Sequence, residues 1–418
     1  MKPIFKSPAG ENFFFGYYDK SPFDSLNAKI LAHKANFIDR MPNENDQLEI
    51  GFFDWVGDGA FVSLTSTKAW NWQQGSMLQW VGPDYSSRII YNDRVNNKFV
   101  SVLMDIESRE KIELPIAIYS MHPNGNLALC IDNERHYWFR GGYNYQGIQN
   151  QDKNIPIDTR DGIWLMDIAN QQVEQVVNIV DLINISPLKT MEGSVHYLEH
   201  IMFNPTGERF CFLHRWQQSD GSVYSRLYTA NTNGDDLYLL SDSGRVSHFC
   251  WRNKDEILAW GALPNVTNSL RKYKAIAKYI LRPLLPLYHK LVGEKSTLRR
   301  ALTGDSYILF QDRSEATNRI FSDMLCEDGH PSYRPGCENL FVTDTYQDED
   351  HIRHLKICNS DTKTVTNIAS LNSCSQLDNT SLRCDLHPKW SYQGDHVCID
   401  TVHEGSRQIY VYDVASIV

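Results

Sequence analysis

One phrase recurs along this chain, and it restricts the fold more than any other feature. An aromatic or apolar residue is followed by a short turn containing Pro, Gly, Asn or Asp, and then by a strand-like run. It reads SPFDSLNAKILAH from Ser21, WVGPDYSSRIIYND from Trp80, MHPNGNLALCID from Met121 and FNPTGERFCFLHR from Phe203. It continues as WRNKDEILAWG from Trp251, YRPGCENLFVTD from Tyr333 and WSYQGDHVCID from Trp390. Each copy is a hairpin signal, two strands joined by a tight turn. Several are followed by a third alternating strand, as in DGIWLMDI, SRLYTANTNGD, IRHLKICNSDT and RQIYVYDV, and some by a short fourth such as DLYLL or TVTNIAS. Seven four-stranded units predict an all-β fold, one seven-bladed β-propeller spanning residues 1–418. Repeats that pack mainly on their neighbours let one unit reach this length, whereas a β-sandwich would need far fewer strands. The chain ends on RQIYVYDVASIV, a third strand, so MKPIF at residues 1–5 is expected to supply the fourth strand of the last blade and close the ring.

A helical interruption is expected in blade 5, over residues 266–304. There Leu270, Tyr273, Ile276, Ile280, Leu284, Leu287 and Leu291 fall roughly at helical spacing, with Pro283 and Pro286 kinking or breaking the run. Residues 270–300 carry nine Lys or Arg against one Glu, a local +8 in a chain of net −10. Such a stretch reads either as a peripheral contact with anionic membrane or as a solvated helical hairpin capping blade 5. The net negative charge argues against a nucleic-acid partner. The nine cysteines follow no regular spacing, and Cys211, Cys250 and Cys398 lie in apolar strand patterns. They read as buried reduced thiols of a cytoplasmic protein. No long apolar run suggests a membrane span or a secretion signal.

Aligned on their turns, four repeats place a histidine three residues before the aromatic: His200, His248, His330 and His387, in blades 4 to 7. Blades 1 and 3 hold Tyr17 and Ile118 at that position, and Leu78 of blade 2 falls next to it. Innermost strands line the channel of a propeller, so one register means one depth. A lone histidine here would most simply bond within its own sheet. Four adjacent ones, in a chain with 14 His, point to a metal or proton-transfer site. Asp385, two residues before His387, shares its strand face. With His330 it completes a mixed nitrogen and oxygen set that suits Mn²⁺ or a similar divalent ion. His214, Arg215 and Arg226 are nearby cationic candidates, and arginine can grip a carboxylate in two-pronged fashion. His122 and His136 are weaker candidates.

The residues SHFCW at 247–251, GHPSYRP at 329–335 and LHPKWSYQGDHVCIDTVHEGSRQIYVYDV from Leu386, with HIMFNPTGERFCFLHRW before SRLYT, resemble the oligogalacturonate lyase family of seven-bladed propellers. The resemblance covers residues 195–418 well and the first three blades in outline. It implies a manganese ion on histidines of the last blades, a histidine base and an assisting arginine, acting on a uronate-containing oligo- or polysaccharide by β-elimination. By position, His248 is then the base, Arg226 the assisting arginine, and His330 and His387 the ligands, with His200, His214 and Arg215 left to contact an acidic sugar. The family's His-x-His is here Asp385-Leu386-His387, and its glutamine ligand falls near Leu382, which cannot ligate. Two other roles fit the same residues: a protein peripheral to the inner membrane that handles surface-polysaccharide precursors, and a scaffold propeller with structural histidines.

Overall fold

A computed structural model describes residues 1–148, 155–262, 304–321, 324–378 and 380–418. These residues form seven four-stranded antiparallel sheets, the blades of a seven-bladed β-propeller. The innermost strands of blades 1 to 7 are Asn12–Phe14, Gln79–Trp80, Ile118–Met121, Val195–Phe203, Val246–Trp251, Ser332–Tyr333 and Lys389–Trp390. In blades 1 to 6 the four strands follow one another outward in sequence order. The segment assigned to membrane contact, 270–300, lies outside the described residues, as does all but Gly304 of the expected helical insertion over 266–304. No helix among the described residues is long and apolar enough to cross a membrane.

The recurring aromatic has a definite structural task. The Trp80 indole N–H donates to the Pro22 carbonyl (2.9 Å), that of Trp251 to Met202 (3.2 Å) and that of Trp390 to Ser332 (2.9 Å). In each case the acceptor belongs to the preceding blade, so the large ring fills the seam while its polar edge ties two blades together. The apolar core is correspondingly a series of seams: Ile90 of blade 2 shares a cluster with Leu129 of blade 3 and Phe212 of blade 4.

The ring closes as the N-terminal residues require. The strand Phe5–Lys6 is the outermost strand of blade 7, pairing Phe5 with Val411 and Lys6 with Tyr410. Ile4 N–H donates to the Val411 carbonyl (2.8 Å) and Ser7 N–H to that of Ile409 (3.0 Å). Asp400 adds a second fastening. Its carboxylate accepts the backbone N–H groups of Phe15 and Gly16 of blade 1 (2.9 Å each) and the Lys389 ammonium (3.1 Å). Gly16 has φ +118°, and a Cβ there would lie 2.8 Å from the Gln74 backbone, so no side chain fits where blades 1 and 2 meet.

Two short α-helices, Asn133–Phe139 and Ile179–Asn184, depart from the expectation of a single helical interruption. The first follows the second strand of blade 3. Asp132 caps it by accepting from the Arg135 N–H (3.0 Å), a local signal hidden in a run too short to show helical periodicity. All nine cysteines are unpaired.

Deleting residues 1–6 removes a whole strand of blade 7 and is expected to lower the melting temperature sharply; an unchanged midpoint in differential scanning calorimetry would refute the closure. A second expectation concerns His33, which bridges the Phe15 carbonyl (2.9 Å) and Ser76 Oγ of blade 2 (2.8 Å). Burial pulls its pKa down from 6.5 to about 3. As pH falls between those values the unfolded chain takes up a proton that the folded one refuses, so stability must fall. Melting at pH 7 and pH 5 should show the loss, with a shallower pH slope in His33→Gln.

Candidate functional site

The four aligned histidines do meet in the channel, though not by ideal strand geometry. The pairing register of blade 4 shifts between Glu199 and Met202, and that of blade 5 between Val246 and Phe249. His200 and His248 sit on these irregularities, which turn a side chain away from its regular face. His200 and His387 have left-handed backbone, φ 55° and 43°, a conformation that costs energy in a residue with a Cβ and clusters at functional sites. The rings form a continuous group: His248 and His330 have centroids 4.2 Å apart, His330 and His387 4.4 Å, His200 and His248 6.0 Å. Tyr17, which holds the register position in blade 1, stacks on His200 and places its hydroxyl 2.6 Å from Nδ1.

Asp344 organises the part of the group that could hold a metal. Its carboxylate accepts the His330 backbone N–H (2.7 Å) and the His387 backbone N–H (3.1 Å), and lies 2.8 and 3.0 Å from His330 Nδ1. With Nδ1–H held by a carboxylate, the His330 tautomer leaves Nε2 as the free lone pair, the arrangement metal-binding histidines favour. His330 Nε2 and His387 Nε2 are both buried, with no hydrogen-bond partner among the described residues. One ligand atom from each of His330, Asp385 and His387 lies within 4.8 Å of the others. Asp385 also accepts from Arg353 Nη1 (2.5 Å) and Arg383 Nε (2.7 Å). A carboxylate has about four lone-pair positions, so both contacts leave room for an ion.

The charges around this group are paired. Arg140 and Arg215 meet Glu199, Arg353 meets Asp378 and Asp385, Arg383 meets Asp385, and Asp328 and Asp344 face His248 and His330. Burial alone would lift the Glu199 and Asp385 carboxyls. The adjoining arginines outweigh it and hold both well below the usual range. His200, His248 and His387 are pushed below 6.5 by burial and stay neutral near pH 7, although Asp328 opposes the effect at His248 from 3.1 Å. His330 differs. Burial lowers its pKa, but Asp344, Asp385 and Asp328 raise it further, so this spot favours a positive charge, whether proton or ion.

Not every expected residue is in this group. Arg226 is buried, donates to the Ile185 (2.9 Å) and Ser186 (2.5 Å) carbonyls, and lies over Trp216. His214 pairs with His196 (2.9 Å) in the same layer of side chains. Arg226 holds blade 4 to the segment before it and His214 joins the first two strands of that blade, so Arg226 is not placed as an assisting arginine nor His214 as a sugar contact. Arg215, one residue on and thus on the opposite face of its strand, instead meets Glu199 (2.7 Å) beside His200. Arg140 was not foreseen. It comes from the blade-3 insertion, bonds Glu199 through Nε (3.2 Å) and lies over Tyr143, and its terminal amino groups make no hydrogen bond among the described residues. Arg353, Arg383, Asp328 and Asp344 were missed as well. Of these, Asp344 had a visible signal: four of the repeat phrases end in Asp, at Asp93, Asp132, Asp344 and Asp400.

The fold and the site define a seven-bladed propeller whose channel holds a buried histidine and carboxylate group. Among solved structures, the chain is similar to oligogalacturonate lyase from Vibrio parahaemolyticus, with TM-score 0.63 and 12% identity over 98% of this chain and 92% of that one. It is likewise similar to an oligogalacturonate lyase in complex with manganese, with TM-score 0.62 and 11% identity over 97% and 91%. The β-propeller domain of the Trilobed protease from Pyrococcus furiosus matches at TM-score 0.50 and 9% identity, over 96% of each chain. No protein-family model matches the sequence, and no curated protein sequence does. At these identities the likeness is one of fold.

Replacing Asp344 by Ala strands three buried donors. The loss is expected to be about 3 kcal/mol, from roughly 1–3 kcal/mol for each unsatisfied group with partial relaxation. Urea unfolding measures it, and a change below about 1 kcal/mol would show that Asp344 does not organise the group.

Proposed function

We propose that this protein is a divalent-metal-dependent enzyme that cleaves a uronate-containing oligo- or polysaccharide by β-elimination. The observation that carries the proposal is the pair of buried, unpartnered Nε2 atoms of His330 and His387, beside Asp385 and oriented by Asp344. That donor set fits Mn²⁺ or a similar ion, held by His330, His387 and Asp385. When bound, such an ion supplies Lewis-acid stabilisation of negative charge on a sugar carboxylate.

The chain's own residues account for the rest. The site's arginines are already paired with carboxylates, so the two positive charges of a bound dication would be what helps it retain an acidic sugar. Arg140, whose terminal amino groups are uncommitted, replaces Arg226 as the guanidinium suited to grip the uronate carboxylate, with Arg215 next to it. His248 is neutral and lies against His330, with Nδ1 3.1 Å from Asp328. Held in that way, its Nε2 is the base that removes the proton next to the carboxylate. The Tyr17 hydroxyl is kept protonated by burial and is bonded to His200 Nδ1 (2.6 Å), so it positions that ring.

His248→Ala is expected to abolish the ultraviolet-absorbing unsaturated product from oligogalacturonate while leaving bound metal unchanged by elemental analysis. His330→Ala and His387→Ala are expected to lose the metal. Undiminished turnover in His248→Ala, or purified wild-type protein that takes up no divalent ion, would overturn the assignment.

A further inference from the structure

A cavity of about 350 Å³, lined by residues of all seven blades, lies next to the histidine group. Its walls are the residues that follow the channel histidines along the same strands: Met202 and Phe203 after His200, Cys250 and Trp251 after His248, and Ser332 and Tyr333 after His330. Tyr18 stands between the cavity and the histidine group. Its hydroxyl donates to the Phe249 carbonyl (2.8 Å), its ring stands 5.2 Å from His330, and it also lines the cavity. The cavity is therefore separate from the proposed catalytic site.

We infer that this cavity binds one neutral pyranose ring, as a glycan-binding site distinct from the histidine group. Three features support that ligand class. First, much of the wall is aromatic, and the polar atoms of Trp80, Trp251 and Tyr85 are already committed. Trp80 and Trp251 donate their indole N–H groups to backbone carbonyls, and Tyr85 Oη donates to the Pro123 carbonyl (2.7 Å). What these side chains offer a ligand is ring surface, which the C–H face of a sugar covers well. Second, a charged pair sits among the rings. Lys20 Nζ donates to Asp19 Oδ2 (2.7 Å), and the two side chains are only 8% and 4% exposed. An ammonium has three N–H donors and spends one on this contact, so hydrogen bonds to ligand hydroxyls remain open to it. Third, the pair cancels its own charge, so nothing here favours an anionic sugar over a neutral one. An aromatic-walled pocket of a few hundred Å³ with a few polar groups is the usual form of a small-ligand site.

The test is fluorescence titration of the full-length protein, with Trp80 and Trp251 as reporters in the cavity wall. The probes are methyl α-D-glucopyranoside, methyl α-D-galactopyranoside and D-galacturonate. At least one neutral glycoside is expected to give a saturable change with a dissociation constant of about 1 mM. Lys20→Met should weaken that binding by about tenfold, a change of roughly 1.4 kcal/mol. Ser332→Trp, which fills the cavity and leaves Lys20 in place, should abolish it and keeps the test decisive if Lys20→Met does not fold. His387→Ala should leave it unchanged, which separates this site from the proposed catalytic one. The inference is overturned if neither neutral glycoside saturates, if Ser332→Trp binds normally, if His387→Ala loses binding, or if galacturonate binds more tightly than both neutral sugars through Lys20.

Discussion

Closure of the ring by the chain's two ends is the constraint on which everything else rests. Blade 7 takes its outermost strand from Phe5–Lys6 and its other three from the last thirty or so residues, while Asp400 reaches across to the start of blade 1. A blade buries its faces only against its neighbours, so an open ring would leave two sheet faces in water. Closure also sets the channel's width and thereby how near the histidines of adjacent blades come. The carboxylate of Asp400 and the central site are thus linked mechanically, although they share no chemistry.

Within the closed ring, the functional group depends on electrostatic balance in a dry volume. Unpaired buried charges are costly, and each arginine near the histidines has a carboxylate partner. Asp344 and Asp400 occupy equivalent ends of second strands, and both accept backbone N–H groups next to an inner strand, before it at His330 and His387 and after it at Phe15 and Gly16. At Asp400 the third partner is a lysine, and the arrangement is structural. At Asp344 the third partner is the His330 imidazole, and the same device orients a ring nitrogen toward open coordination. One fold-building motif has thereby been adapted to hold a reactive group.

Much of this was legible in the residues. The hairpin phrase specified blade number and strand order, the histidine register put four imidazoles at one depth, and Asp385 was placed with His330 and His387. Other parts were not. His214, Arg215 and Arg226 looked equivalent as neighbouring cations, yet strand alternation and the blade seam send Arg226 and His214 to the layer of Trp216 and His196, and Arg215 to Glu199. Arg140 reaches the site because a capped helix interrupts blade 3, and a seven-residue helix carries too little periodicity to be read in advance. The bulges that aim His200 and His248 leave no mark in an alternating pattern, because a one-residue irregularity looks the same as a strand end.

The sequence by itself determined that the chain builds seven repeating blades, that its first residues complete the last one, and which histidines face the axis. Those are consequences of local periodicity and turn chemistry, which act over a few residues at a time. Tertiary structure alone decided which arginines approach the axis, that Asp344 fixes the His330 tautomer, and that Tyr18 stands between the histidine group and an aromatic cavity. Each of these depends on contacts between residues from different blades, whose distances are set only when the ring has closed.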